Sequence, residues 1–128
     1  MGVLKILIVD DEKDFSDAVS DYFKSLGYKV FHTYTGEQAL DILRKEKPDV
    51  LLCDLKLGGA GSLNGNDVLN GLKSASPNTI PIIVTAYHDE ALRKRLLMKG
   101  VHKLLFKPVM LEEIDDILSE IEDELNNK

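Results

Sequence analysis

Four apolar segments of this chain each end in a polar residue of a different chemical kind. Residues 4–9 run into Asp10-Asp11, residues 50–53 into Asp54, residues 82–84 into Thr85, and residues 104–106 into Lys107-Pro108. In a parallel α/β sheet the carboxyl ends of the strands share one edge, and ligands bind in the crevice outside it. If these segments are neighbouring parallel strands, three carboxylates, a hydroxyl and an ammonium converge on one crevice. Such a set suits the placing of a phosphoryl group on an aspartate beside a divalent metal.

Each member has a bland reading as well. Aspartate is a common helix N-cap, and one of Asp10, Asp11 and Glu12 is expected to serve as one. A cap needs a single residue, however, and clustered carboxylates raise one another's pKa unless a cation compensates. A hard divalent ion with oxygen ligands does so, which makes Asp10, Asp11 and Asp54 candidate metal ligands. Asp54 alone reads as a strand-end turn residue or as a nucleophile that becomes an acyl phosphate. Attack of a carboxylate on a phosphoryl group sets anion against anion, so Lys107 and a metal would neutralise the transferring oxygens. Thr85 offers a hydroxyl to one of those oxygens. Taken singly, Thr85 is an ordinary strand residue and Lys107 a surface lysine; the combination is more specific than any member.

The intervening segments must position these ends. Residues 4–9, 28–33, 49–53, 80–84 and 103–106 read as strands. Phe15, Ala18, Val19, Tyr22, Phe23 and Leu26 recur at helical spacing, and Gly27 suits the cap that follows. Residues 36–47 form a second helix, with Ala39, Leu40 and Leu43 inward, that Pro48 ends. Residues 57–66 hold four of the nine glycines, which predicts a loop, and residues 67–75 a short helix. Pro81 lies near the start of the fourth strand, where proline is tolerated. Residues 88–99 and 110–125 are the last two helices, Gly100 capping the former and Ile114, Ile117, Leu118, Ile121 and Leu125 facing inward on the latter. Near-continuous apolar strands belong to a sheet covered on both faces. Alternation of strand and helix predicts a doubly wound parallel α/β sheet. The expected domain is a single one over residues 1–128.

Composition narrows the function. With 16 basic and 22 acidic residues the formal charge is −6, a poor basis for neutralising nucleic-acid phosphates, so direct nucleic-acid binding is not expected. The single cysteine, Cys53, excludes an internal disulfide and reads as a small core residue rather than a reactive thiol. No apolar run approaches a membrane span, and the initial one is too short for a signal peptide; a cytoplasmic location is expected.

With VDDE at the first strand end, CDLKL around Asp54, VTAY around Thr85 and FKP around Lys107, the chain resembles the receiver domain of bacterial two-component response regulators over essentially its whole length. The resemblance implies a flavodoxin-like fold, five strands in the order 2-1-3-4-5 with five helices. It implies that Asp54 accepts a phosphoryl group from a sensor histidine kinase, a phosphotransfer protein or a small acyl phosphate. Asp11, Asp54 and the Lys56 backbone carbonyl would then hold Mg²⁺, or Mn²⁺ in its place, with Asp10 acting through a bound water. Lys107 would pair with Asp54 before transfer and with the phosphoryl group after it, and Thr85 would swing toward that group. The Lys107–Pro108 bond is expected to be cis. The implied output surface for an effector domain or target protein, or for a homodimer formed on phosphorylation, is the face of the fourth helix, fifth strand and last helix. Arg93, Lys94, Arg95 and Lys99 on the fourth helix and Glu112, Glu113, Asp115, Asp116 and Glu120 on the last are either a self-complementary pair of faces or solvated helix surfaces.

Three positions depart from the family pattern. Leu104 stands where the family carries its switch aromatic, so the signal is expected to leave through the loop after Thr85 and the fourth helix. The loop after Asp54 has Gly58 at the usual proline position and is about three residues longer, a tolerated insertion or a mobile contact. Lys56 and Tyr87 match positions that tune hydrolysis, and a cation and a ring there predict a slowly hydrolysing phosphoform. An aspartate-nucleophile phosphohydrolase would need an acid at position 56. A flavin-binding flavodoxin would not place acids after its first strand. A receiver-like interaction domain that is not phosphorylated is the remaining alternative.

Overall fold

The computed structural model describes residues 3–57, 63–86 and 89–127. Its strands are β1 (Lys5–Val9), β2 (Lys29–Thr33), β3 (Val50–Asp54), β4 (Ile80–Thr85) and β5 (Lys103–Phe106). They alternate with α1 (Lys13–Ser25), α2 (Gly36–Glu46), α3 (Gly65–Ala75), α4 (Glu90–Met98) and α5 (Leu111–Asn126). All pairings are parallel, in the order β2-β1-β3-β4-β5, which is the expected doubly wound arrangement.

The strands divide their apolar residues by alternation. Leu7, Val9, Leu51, Cys53 and Ile83 point to one face, where they meet α2 and α3 through Leu43, Val68 and Leu72, and α4 through Leu96. Ile6, Ile8, Leu52, Ile82 and Val84 point to the other, against Val19 and Phe23 of α1 and Ile114, Leu118 and Ile121 of α5. With both faces covered, polar side chains are left to the strand ends.

Several boundaries and faces differ from the sequence reading. The third strand runs one residue further, to Asp54, and the fourth to Thr85, because both still take part in the ladder: Asp54 pairs with Val84 and Thr85 with Phe106. Helix α3 begins at Gly65 rather than Asp67. Asn64 Oδ1 accepts from the Asp67 amide and Asp67 Oδ2 from the Asn64 amide, both at 3.0 Å, a reciprocal box that starts the helix two residues early. On α1 the buried line is Ser16, Val19, Ser20 and Phe23, a helical stripe of small and large residues; Ala18 and Leu26 face solvent. Leu125 is also exposed, in the last turn of α5. Pro81 sits second in β4, opposite Leu51, and its carbonyl accepts from the His102 amide at 2.8 Å. The expected glycine caps hold, with Gly27 and Gly100 at φ of 96° and 91°. The glycine run at 58–62, and Tyr87 and His88, lie outside the described residues. No described helix is long and apolar enough to cross a membrane.

Candidate functional site

The carboxyl ends of β1, β3, β4 and β5 meet over a cavity of about 430 Å³ lined by Asp11, Glu12, Asp54, Lys56, Thr85 and Lys107. Asp10 lies just beneath, almost fully buried. Lys107 Nζ joins these groups, donating to Asp10 Oδ2 at 2.9 Å, to Asp54 Oδ2 at 3.1 Å and to Glu12 Oε1 at 3.1 Å. The ammonium also lies 4.7 Å from the centroid of the Phe15 ring, close enough for a cation–π contact.

The backbone holds each member in place. The Lys107 amide donates to the Thr85 carbonyl at 2.8 Å, so the β4 end fixes where the lysine departs. The Lys107–Pro108 peptide is cis, as expected. The Glu12 amide donates to Asp10 Oδ1 at 2.9 Å and the Lys56 amide to Asp54 Oδ1 at 3.1 Å. Each aspartate thus closes its own turn with one oxygen and offers the other to Lys107. The expected acidic N-cap is absent, since Glu12 occupies the cap position of α1 without a side-chain hydrogen bond to the helix.

The electrostatics follow from burial. Loss of solvent raises the Asp10 carboxyl pKa, and although hydrogen bonds from the Glu12 amide and Lys107 oppose this, the Asp54 charge adds to it, leaving the group above its ordinary value. Burial works to lower the Lys107 pKa. The hydrogen bonds to Asp10 and Glu12 and the charges of Asp10 and Asp54 outweigh it together, and the ammonium is held above the usual lysine value. Cys53, buried beside the site, is pushed up by desolvation and then by the charges of Asp54 and Asp10, which makes it an inert core thiol.

Carboxylate oxygens of Asp10, Glu12 and Asp54 all lie within 4.8 Å of one another, and Asp11 lines the same cavity. Crowded hard oxygen donors, one of them buried and disfavoured as an anion, form a donor set suited to a divalent cation such as Mg²⁺.

The structure therefore brings together Asp10, Asp11, Asp54, Thr85 and Lys107, the ends of the apolar runs, and with them Lys56, which the family resemblance implied. Tyr87 lies outside the described residues. Leu104 is half-buried and packs against the α2–α3–α4 face of the core, away from the cavity lining. Three residues escaped the sequence reading. Glu12 was legible as an acid beside the pair, but not as a partner of Lys107. Phe15 read only as a core residue. Gly65 read as part of a loop, yet a Cβ there would lie 2.4 Å from the Asp54 carbonyl oxygen and 2.7 Å from Leu55 Cα. Only a glycine lets α3 start against the strand that carries Asp54.

Fold and site together define a phosphoacceptor switch of the receiver type. Residues 6–119 match the response regulator receiver domain, and the chain belongs to that family. It is 36% identical over 112 residues to sporulation initiation phosphotransferase F of Bacillus subtilis (strain 168), the match covering 88% of each chain. Among solved structures it is similar to a signal receiver domain from Vibrio parahaemolyticus, with a TM-score of 0.87, 26% identity, and 98% of this chain and 96% of that one covered. It is also similar to the receiver domain of a sensor histidine kinase from Pseudomonas aeruginosa, with a TM-score of 0.79, 25% identity, and 93% and 97% covered. In that structure a magnesium ion is coordinated in the active-site cleft.

Proposed function

We propose that Asp54 is the phosphoacceptor of this receiver and that residues 1–128 act as one switch. The observation that carries the reading is the Lys107 ammonium held 3.1 Å from Asp54 Oδ2 at a cavity also lined by Thr85 and Asp11. In the step proposed, a carboxylate oxygen of Asp54 forms a bond to phosphorus. The bond from phosphorus to the histidine nitrogen of a sensor kinase or phosphotransfer protein breaks, and that nitrogen keeps the electron pair and takes a proton from water. Lys107 neutralises the oxygens on which charge gathers, and the Thr85 hydroxyl donates to one of them. Asp11, Asp54 and the Lys56 carbonyl would hold Mg²⁺ or Mn²⁺, with Asp10 behind them. When bound, the ion supplies charge neutralisation at the phosphoryl oxygens.

The chain then catalyses only its own phosphorylation and dephosphorylation. The phosphotransferase name of the Bacillus subtilis relative supports onward relay of the phosphoryl group as one use of the switch; control of a target or a homodimer through α4, β5 and α5 is the other. A cytoplasmic location suits both. With Leu104 at the usual aromatic position, the signal leaves through the loop after Thr85 and α4. Lys56 and Tyr87 shield the acyl phosphate from water.

Acetyl phosphate with Mg²⁺, read by intact mass, tests this. One phosphoryl adduct, absent from Asp54→Asn and from a metal-chelated control, is expected. A folded protein that takes no adduct, or that keeps it in Asp54→Asn, overturns the assignment, and the former result would favour an interaction domain that is not phosphorylated.

A further inference from the structure

A second cavity, of about 280 Å³, opens between α3 and α4. Helix α3 packs on α2 and α4 on β5, and the cavity lies where Asn64 and Asn66 at the start of α3 face Leu92, Arg95 and Leu96 of α4. Its apolar lining comes from Leu55, Leu92 and the buried Leu96. Its polar rim carries Arg95 of α4 and Lys99, the residue that caps that helix at its C-terminal end.

The charges on this rim are uncompensated. Arg93, on the same helix, pairs with Glu90 at 3.2 Å. Arg95 has no carboxylate partner among the described residues. Lys99 Nζ donates to Asn66 Oδ1 at 2.6 Å, and a neutral amide oxygen orients the ammonium without cancelling its charge. A guanidinium and an ammonium thus flank an apolar floor in a chain whose net charge is −6. The cavity shares no lining residue with the Asp54 crevice and is of opposite sign.

We infer that the α3–α4 groove is a second ligand site, for a small organic anion bearing a carboxylate or phosphate head on a short apolar body. Arg95 presents the planar fork that matches either head group, and Lys99 adds a second charge. The three leucines take the body. An apolar cavity of about 150 Å³ already admits benzene, so this one has room for a ring and its head group, whereas a peptide would need a longer groove. The lining offers no nucleophile or acid–base pair, so the site binds without reacting.

The test is NMR titration of the full chain, ¹⁵N- and methyl-labelled, in EDTA, with phenyl phosphate, benzoate and inorganic phosphate as separate probes. Saturable shifts of the Leu55, Leu92 and Leu96 methyls with an aryl anion are expected, with a Kd on the order of 1 mM for ligands this small. Inorganic phosphate should leave those methyls unmoved. Arg95→Gln combined with Lys99→Gln, two exposed helix positions whose change spares the fold, should weaken binding about tenfold or more. The tighter aryl anion assigns the head group. Absence of saturable shifts with both, shifts confined to the Asp54 crevice, or an unchanged Kd in the double variant would overturn the inference.

Discussion

Lys107 Nζ reaches Asp54 Oδ2 at 3.1 Å although the strands that lead to them are not neighbours, for β4 lies between β3 and β5. The lysine crosses over the end of β4, and its own amide is tied to the Thr85 carbonyl as it does so. The cation therefore reaches Asp54 only when all three strands hold their register. Asp10 and Asp54 depend on it in return, because each is almost buried and the Asp54 charge raises the cost of charging Asp10.

Removing that cation leaves two buried carboxylates facing one another. Lys107→Met should cost about 2–4 kcal/mol of stability in metal-free buffer at neutral pH, measured by urea denaturation. Adding Asp54→Asn should restore more than half of the loss, since it removes one of the unpaired charges. A single variant as stable as the parent, or a double variant no better than the single, would show that the ammonium does not support the pair.

Gly65→Ala tests the packing of α3 on the strand that carries Asp54. In a helix interior, alanine ordinarily stabilises by about 1 kcal/mol relative to glycine. Here its methyl would collide with the Asp54 carbonyl oxygen and the Leu55 backbone, and backbone cannot yield as a side-chain tip can. The expected result is the opposite sign, a loss of about 2–3 kcal/mol in urea denaturation, together with slower labelling by acetyl phosphate. A neutral or stabilising outcome would mean the close approach is absent in solution.

Particular residues show what was legible in advance. Asp10, Asp11, Asp54, Thr85 and Lys107 could be read because each follows an apolar run directly, and a parallel sheet brings all such ends to one edge. Strand order came from the family resemblance, since the apolar runs alone do not say which strands adjoin. Gly65 could not be placed, because its role is a contact with a strand end eleven residues earlier, which a glycine-rich segment does not reveal. The start of α3 was legible in principle, as Asn64 and Asp67 have the spacing of a capping box, but the surrounding glycines outweighed it. Ser16 and Ser20 were hidden by their polarity. Their burial against the sheet is set by the hand of α1 about Val19 and Phe23, not by their own hydropathy.

Cys53 is a control for the burial of the site. Its thiol is fully buried and donates to the Asp54 carbonyl oxygen at 3.2 Å. Desolvation and the neighbouring anions raise its pKa, so the thiolate is scarcer than in an ordinary cysteine at any pH where the fold persists. Alkylation by iodoacetamide at pH 8 should be slower in the native protein than in urea by about a hundredfold or more. Raising the pH from 7 to 9 should not produce the rise seen for a free thiol. Rapid native alkylation, tracked by mass, would show that the floor of the site opens to solvent.

The metal ligands divide into two testable sets, because Asp10, Glu12 and Asp54 have converging oxygens while the proposed set replaces Glu12 with Asp11. Glu12 is mostly exposed and hydrogen-bonds to Lys107, so its carboxylate already has a cation. Asp11 lines the same cavity as Asp54. If Asp11 is the direct ligand, Asp11→Asn should weaken Mg²⁺ binding about tenfold or more, and Glu12→Gln less than about threefold, since losing one charged oxygen from a hard-cation site costs far more than losing a neighbour. Isothermal titration or quenching of a dye placed on an exposed residue would report both constants. A larger loss in Glu12→Gln than in Asp11→Asn would reassign the ion to the Asp10, Glu12 and Asp54 cluster, and Lys107 would then compete with the metal for all three of its ligands at once.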